Sequence, residues 1–446
     1  MYKSMDENFL VAVIGAGPAG MYASQYLARK GVEVALFNRE IKPGGLVEYG
    51  IYPSKHKLRM GLIAQFKRIL DMPNVHYLGN VRVGQYGDIR VDQLREAGFD
   101  AFMVTTGAQV NTSLDLPGED LKGIYHANDI VFHYNRMPRH ANKTLNFGSE
   151  VAVIGVGNVM LDIVHYFKQL DQAYTVTAYA RRGPTNVKFD KKSLEPVAEC
   201  LDCEAIKKAV GEASPEVEKI DEDIDAYYAL LKNARARAQD CHSKLKFRMR
   251  FLLSPKALIG DAKGRVKEIR FERNQLMRQG DRILPKGTGV MEVVSVDTVV
   301  FSVGSRVDAG FGLPVAHRNF ITTQKPRFPI DGISYEVYDE DLCSTCVDVF
   351  VSGWARVAGE GVVGLARKDA ERGARAVLQY LDTLPSKPNA GVQQIFEKLA
   401  LTCTSVVDFS GLQKLWAVEE KIAAERELPE FKFDTQEEML RVIKGS

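Results

Sequence analysis

Val13-Ile14-Gly15-Ala16-Gly17-Pro18-Ala19-Gly20 and, later, Val153-Ile154-Gly155-Val156-Gly157-Asn158-Val159-Met160 are the two stretches that decide the fold. Each follows a β-branched run and precedes a helix-like segment. A buried strand, a tight glycine turn and a helix N-terminus together make a seat for a pyrophosphate. The backbone comes close, free N–H groups point outward, and the helix dipole favours negative charge. Two such fingerprints predict two dinucleotides, with a flavin and a nicotinamide nucleotide as the chemically sensible pair and hydride transfer as the expected reaction.

Outward from the first fingerprint, residues 11–14 read as a buried strand, 19–29 as a helix and 32–37 as a second parallel strand, a βαβ opening unit. Lys42-Pro43-Gly44-Gly45 ends that unit as a turn, residues 58–70 have helical spacing, and 99–108 read as a strand running into a glycine turn. A new strand at 150–154 then starts the second fingerprint, with a helix at 161–170 and a strand at 176–180. A second nucleotide domain is therefore inserted into the first. Residues 214–239 read as charged and helical, 244–255 as a basic strand, and 266–272 and 293–303 as further strands, with a return crossing at 303–306. Another buried strand at 347–352 and a helix at 364–381 resume the first domain. A polar linker at 386–391 leads to a helical C-terminal segment in which Trp416 is expected as a packing anchor. The fold class is α/β, with two Rossmann-like dinucleotide-binding domains. The expected boundaries are 1–110 and 326–446 for the outer domain and 111–325 for the inserted one, with no internal repeat beyond the duplicated nucleotide fold.

The composition narrows the class. A chain of 446 residues, 45% hydrophobic and 26% charged, is an ordinary globular protein of about two or three domains. A formal charge of +2 argues against wholesale nucleic-acid binding. No apolar run approaches the roughly 20 residues of a membrane-spanning helix, and residues 1–8 lack a signal-peptide design, so no membrane insertion and a cytoplasmic location are expected. Six cysteines in so long a chain fit a reducing compartment.

The motifs together resemble the adrenodoxin reductase type of ferredoxin–NADP reductase and, more distantly, the small subunit of glutamate synthase. The resemblance runs along almost the whole chain. It is carried by Gly15-Ala16-Gly17-Pro18-Ala19-Gly20-Met21-Tyr22, Gly45-Leu46-Val47-Glu48-Tyr49-Gly50, Gly155-Val156-Gly157-Asn158-Val159-Met160-Leu161-Asp162 and Ala180-Arg181-Arg182-Gly183-Pro184. It continues through Phe251-Leu252-Leu253-Ser254-Pro255, Gly353-Trp354, Gly361-Val362-Val363-Gly364, Lys368-Asp369-Ala370 and Glu437-Glu438-Met439-Leu440. The resemblance implies FAD in the outer domain and NADP(H) in the inserted one, with hydride passing to the flavin and single electrons to a ferredoxin or other acidic iron–sulfur protein. It implies Gly15, Gly17, Pro18, Ala19, Gly20, Asn38, Gly45, Leu46 and Gly107 at FAD, and Gly353, Trp354, Gly361, Val362 and Val363 over the isoalloxazine. At NADP(H) it implies Gly155, Gly157, Asn158 and Val159, with Asp162, Trp354 and Glu360 nearest the chemistry. The residue types support one of these roles independently. Arg181 and Arg182 follow the second strand of the inserted unit, where an acidic residue would otherwise take the ribose 2′-OH, and guanidinium groups there favour a 2′-phosphate. Lys232, Arg235, Arg237, Lys244, Lys246, Arg248 and Arg250 form either a docking face for an acidic partner or a solvated helix and edge strand.

The sequence also departs from the family. Asn38 stands where a glutamate usually meets the FAD ribose, with Glu40 as an alternative. Met160 stands where a small residue usually lets the helix pack closely on its strand. Lys55 and Ser193 fall where a histidine and a glutamate are usual, with His56 and Glu195 one and two residues away, and Gly359 and Glu360 replace a proline and a threonine. Two Cys-x-x-Cys pairs, Cys200 with Cys203 and Cys343 with Cys346, are not family hallmarks, and no metal site is expected from them. They leave open a disulfide reductase, beside an NADPH-oxidising subunit of a larger redox complex and, outside enzymes, a flavin-binding structural subunit.

Overall fold

The computed structural model describes residues 9–172, 174–238, 243–359, 361–385, 403 and 405–445. Glu360, residues 1–8 and the linker at 386–391 lie outside them. The chain divides into two compact units, one of Met1–Asn111, Tyr134–Asn142 and Gly304–Ser446 and the other of Thr112–His133 and Lys143–Val303.

The first unit is built on a six-stranded sheet in the order Glu336–Asp339, Ser344–Val351, Ala101–Val104, Leu10–Ile14, Glu33–Asn38, Val75–Gly79. All neighbours are parallel except the first pair. Every residue of Leu10–Ile14 is buried, because the strand's two faces feed two different cores. Val11 and Val13 join Met21, Leu27, Ala370, Ala374 and Val377 on one side, while Leu10, Ala12 and Ile14 join Phe102, Val104, Phe311 and Phe320 on the other. Such double burial explains why the strand reads as a continuous apolar run. The helix Pro18–Ala28 opens with proline in its first turn, where the missing N–H costs nothing, and lies with the helix Val363–Leu381 in the first of these cores.

The second unit holds a parallel five-stranded sheet in the order Ile124–His126, Thr298–Phe301, Glu150–Ile154, Thr175–Tyr179, Lys246–Arg250. Beside it, Leu253–Gly260, Val266–Gln279 and Arg282–Ser295 form an antiparallel sheet dominated by a long hairpin.

Several elements differ from the sequence expectations for identifiable reasons. The basic strand read at 244–255 is two strands, parted where Leu252 takes a positive φ of 59° and the chain leaves one sheet for the other. The charged helical stretch at 214–239 comprises the end of Cys203–Glu218 and then Ile224–Arg235, broken at Asp221 (φ 50°). The strand read at 293–303 is likewise two pieces, Arg282–Ser295 in the hairpin and Thr298–Phe301 in the parallel sheet. The hairpin's outer arm is exposed along most of its length and carries no apolar periodicity. The chain returns to the first unit at Gly304 rather than at 326, since Ser305–Arg306 pairs with Val110–Asn111 and Phe311 and Phe320 are buried in that unit's core. Among the described residues no helix is long and apolar enough to cross a membrane.

Candidate functional site

Each unit carries a glycine turn at the C-terminal end of its central strand, which is where open parallel sheets bind ligands. In the first, Gly15 has φ 110° and donates its N–H to the Phe37 carbonyl at 2.8 Å. A Cβ there would lie 2.7 Å from the Thr105 carbonyl oxygen, so the first glycine is demanded by the protein's own packing. Gly17 is different: its backbone is extended, and a Cβ on it would meet nothing within 4 Å. Among the described residues, packing supplies no reason for glycine at this position. Thr105, which the sequence reading passed over, donates its hydroxyl to the Ile14 and Gly15 carbonyls at 3.1 and 2.8 Å, pinning the turn from below.

The remaining residues expected at the first cradle assemble around it. Gly44 donates to the Ala16 carbonyl at 2.7 Å, and a Cβ on Gly45 would sit 3.1 Å from Gly17 Cα, so the turn before the short helix Leu46–Tyr49 lies against the fingerprint. Leu46 itself is exposed. Gly353 has φ 65°, and a Cβ on it would be 2.6 Å from Ala19 Cβ; the half-buried Trp354 adjoins Gly107. Gly361 and Val362 are exposed, and Val363 begins its helix.

Asn38 is engaged within the protein more fully than a ribose ligand needs. Its Oδ1 accepts the Ala16 N–H at 3.2 Å, and its Nδ2 donates to the Glu40 and Lys42 carbonyls at 2.9 and 3.0 Å and lies 3.2 Å from the Tyr77 hydroxyl. Both amide hydrogens are spent on the 40–42 turn, leaving one acceptor lone pair on Oδ1 for any ligand. Glu40 is buried, with Oε1 on Arg39 Nε at 2.9 Å and no hydrogen-bond partner at Oε2.

The second cradle repeats the pattern. Gly155 has φ 118°, and a Cβ on it would collide with the Ser302 carbonyl, whereas a Cβ on Gly157 would meet nothing within 4 Å. Val159 is exposed. The Asn158 side chain is tied down, donating to Asp190 Oδ2 at 2.9 Å and accepting the Asp190 N–H at 3.0 Å, which leaves the helix's backbone N–H groups to face a ligand. Burial opposes charge on Asp190, but hydrogen bonds from Ser193 and Asn158 outweigh it and hold its carboxyl below the usual range. Met160 is fully buried in the helix Asn158–Gln169, whereas at Gly20, its counterpart in the first fingerprint, a Cβ would collide with the Gly15 carbonyl. Asp162 lies half-buried farther along the same helix. Arg181 is exposed and Arg182 half-buried, just beyond the strand Thr175–Tyr179. Burial, then the charge on Arg181, lowers the Arg182 guanidinium pKa. A further anion would relieve that repulsion.

Lys232, Arg235, Arg237, Lys244 and Lys246 are exposed, with Arg237 3.6 Å from Glu195 and Arg235 donating to Cys203 Sγ, and the half-buried Arg248 and Arg250 pair with Asp202 and Glu292. Cys200, Cys203, Cys343 and Cys346 are not in disulfides. Cys343 precedes, and Cys346 lies within, the strand Ser344–Val351.

A pyrophosphate cradle in each of two α/β units defines a two-nucleotide oxidoreductase architecture. The chain belongs to the pyridine nucleotide-disulphide oxidoreductase family, whose sequence profile matches residues 9–353. Within that family it is similar along almost its whole length to adrenodoxin and ferredoxin reductases. It is 28% identical to NADPH:adrenodoxin oxidoreductase of Salvelinus fontinalis, over 98% of this chain and 91% of that one. It is 27% identical to NADPH-ferredoxin reductase FprA of Mycobacterium tuberculosis, over 98% of this chain and 99% of the relative. The solved structure of that FprA in complex with NADPH shares the fold, with a TM-score of 0.81 and 24% identity over 98% of this chain and all of the other.

Proposed function

We infer that this chain is an FAD-containing, NADPH-dependent reductase that delivers electrons to a ferredoxin-like iron–sulfur protein. The observation that carries the reading is the pair of middle glycines, Gly17 and Gly157, each facing open space in its own unit, with an arginine pair beyond the second. In the first unit, Gly15, Gly17, Pro18, Ala19, Gly20 and the free lone pair of Asn38 hold the ADP half of FAD. Gly45, Leu46, Gly107, Gly353, Trp354, Gly361, Val362 and Val363 form the isoalloxazine end. In the second, the backbone of Gly155, Gly157, Asn158 and Val159 takes the NADPH pyrophosphate, Arg181 and Arg182 take the 2′-phosphate, and Asp162 serves the nicotinamide end.

The chain's own contribution is binding, orientation and charge. The N-termini of Pro18–Ala28 and Asn158–Gln169 offer unpaired N–H groups and a positive dipole end to phosphate oxygens. FAD held there would supply hydride acceptance from NADPH and release of electrons one at a time. Exposed Lys232, Arg235, Arg237, Lys244 and Lys246 are suited to steering an acidic partner. A cytoplasmic location belongs to the proposal and is supported by the free thiols of Cys203, Cys343, Cys346 and Cys403.

Anaerobic titration of the flavin-loaded protein tests this directly. Bleaching of the visible flavin absorption by NADPH at lower concentration than by NADH, followed by reoxidation on adding a ferredoxin, is the expected result. A bound flavin unmoved by either nucleotide would overturn it.

A further inference from the structure

The Arg181–Arg182 turn is held by a residue far away in sequence. Asn274 is buried, and its Nδ2 donates to the Arg181 carbonyl at 2.8 Å and to Ser254 Oγ at 2.8 Å. Its own N–H donates to the Leu252 carbonyl at 2.8 Å, while the Leu252 N–H donates to the Arg182 carbonyl at 3.2 Å. Both arginine carbonyls are thus tied to the antiparallel sheet, one by a side chain and one by main chain. The hairpin ladder slips between Glu272 and Asn274, breaking the strand's regular alternation at the residue that makes this contact. Two residues on, the Leu276 side chain packs where a Cβ on Gly183 would lie 3.4 Å away, closing the far end of the same turn.

We propose that Asn274 is a specificity-determining positioning residue. It fixes the main chain of Arg181 and Arg182 so that both guanidinium groups address a single 2′-phosphate. The inference rests on the assignment of that phosphate to the arginine pair. Two forked cations bind one phosphate well only if their backbones are already placed. Otherwise the entropy of ordering two long side chains and their turn is lost on binding, and only the ligand that uses both forks bears the cost. Asn274 therefore acts on the choice between nucleotides rather than on nucleotide binding in general.

The test is calorimetric binding of 2′,5′-ADP and of 5′-AMP to the purified holoprotein, with far-UV circular dichroism as a check on folding. Asn274→Ala is expected to weaken 2′,5′-ADP by about 10-fold, the effect of losing one hydrogen bond of about 1.4 kcal/mol, and to leave 5′-AMP within about 2-fold. Ser254→Ala, which removes the other acceptor without touching Arg181, is expected to leave both ligands within about 2-fold. Should Asn274→Ala not fold, Asn274→Leu keeps a side chain of similar size and the ladder N–H, lacks the amide donors without adding charge, and carries the same expectation. Equal weakening of both ligands, or of neither, by the folded Asn274 variant would overturn the proposal. Arg181→Ala with Arg182→Ala separates the two levels of inference. If that double variant keeps the preference for 2′,5′-ADP, the phosphate assignment itself falls; if it loses the preference and the Asn274 variant does not, only the role of Asn274 falls.

Discussion

Asp369 accepts the main-chain N–H of Gly353 at 2.7 Å and so holds in the left-handed region the glycine that packs directly on Ala19 of the first fingerprint. The same carboxylate accepts from the Ser352 hydroxyl at 3.0 Å, the Tyr335 hydroxyl at 3.2 Å and the Arg356 guanidinium, which also lies over the Tyr335 ring at 4.9 Å. One side chain on the helix Val363–Leu381 thereby sets the turn that carries Trp354.

Removing it has two consequences. Asp369→Ala leaves Arg356, 17% exposed at its side chain, without its carboxylate and frees the Gly353 turn. Unfolding free energy is expected to fall by about 2 kcal/mol, below the full cost of orphaning a buried charge because water reaches the guanidinium. The near-UV circular dichroism of the tryptophans should change and bound flavin should dissociate more readily. Urea unfolding and flavin fluorescence measure the two effects; an unaltered near-UV spectrum together with unaltered flavin affinity would remove Asp369 from the cofactor site.

The glycines of each fingerprint separate folding from ligand binding. Gly17→Ala and Gly157→Ala place a methyl group in open space, so both variants should fold with melting temperatures close to that of the parent. Gly17→Ala should lose flavin while retaining 2′,5′-ADP binding, and Gly157→Ala should do the reverse. Gly155→Ala, by contrast, drives a methyl into the Ser302 carbonyl at a φ of 118° and should fail to accumulate as folded protein. Equal flavin content in Gly17→Ala and parent would mean that the first cradle does not hold the pyrophosphate.

How much of this was legible in the sequence follows from what each feature depends on. The fingerprints, their strands and the arginine pair are local: glycine spacing and a β-branched run state the geometry without help from distant residues. Trp354 and Gly353 were readable through the motif they share with relatives. Asp369 stood inside a matching motif, Lys368-Asp369-Ala370, yet its role depends on contacts with Gly353 and Tyr335 that no periodicity encodes. Asn274 was invisible for a stronger reason. Its function arises from a slipped ladder in a hairpin whose outer arm is exposed along most of its length. Asn38 was legible as a residue at the right place, but its donors turn out to be committed to the 40–42 turn.

Thr105 offers a milder test of the first turn. Its buried hydroxyl donates to two carbonyls of the strand end, and Thr105→Val keeps the shape while removing the donor. A loss of about 1 kcal/mol in unfolding free energy is expected, the net worth of one such bond, with a small drop in flavin affinity because Gly15 is no longer pinned. Chemical denaturation with and without added FAD checks both. A variant as stable as the parent would show that the strand end needs no pin.

The last prediction concerns pH. Lys42 Nζ lies 2.8 Å from both Glu48 Oε1 and Glu419 Oε2, and Lys432 Nζ lies 3.1 Å from Glu48 Oε1 and donates to the Glu48 carbonyl at 2.7 Å. All four side chains are almost wholly buried, and the cluster joins the C-terminal segment to the turn that follows Gly45. Burial alone would raise the Glu48 carboxyl, but Lys42 and Lys432 outweigh it and bring it down to about 2. Burial raises the Glu419 carboxyl against the pull of Lys42, so its contribution runs the other way, favouring the fold at low pH and fading as pH rises. Glu48 dominates because it meets both ammonium groups. A folded value near 2 against an unfolded value near 4.3 means that its contribution, on the order of 3 kcal/mol, is complete above about pH 4.3 and is lost as pH falls through about 2. Lys432→Met removes one of the two cations. It should lower stability at pH 7 by about 3 kcal/mol and shift acid unfolding to higher pH, since Glu48 then takes up its proton earlier. Urea unfolding of both proteins between about pH 2 and pH 7 reads the difference directly. Curves that stay parallel over the acid range would show that Lys432 does not govern the ionisation of Glu48.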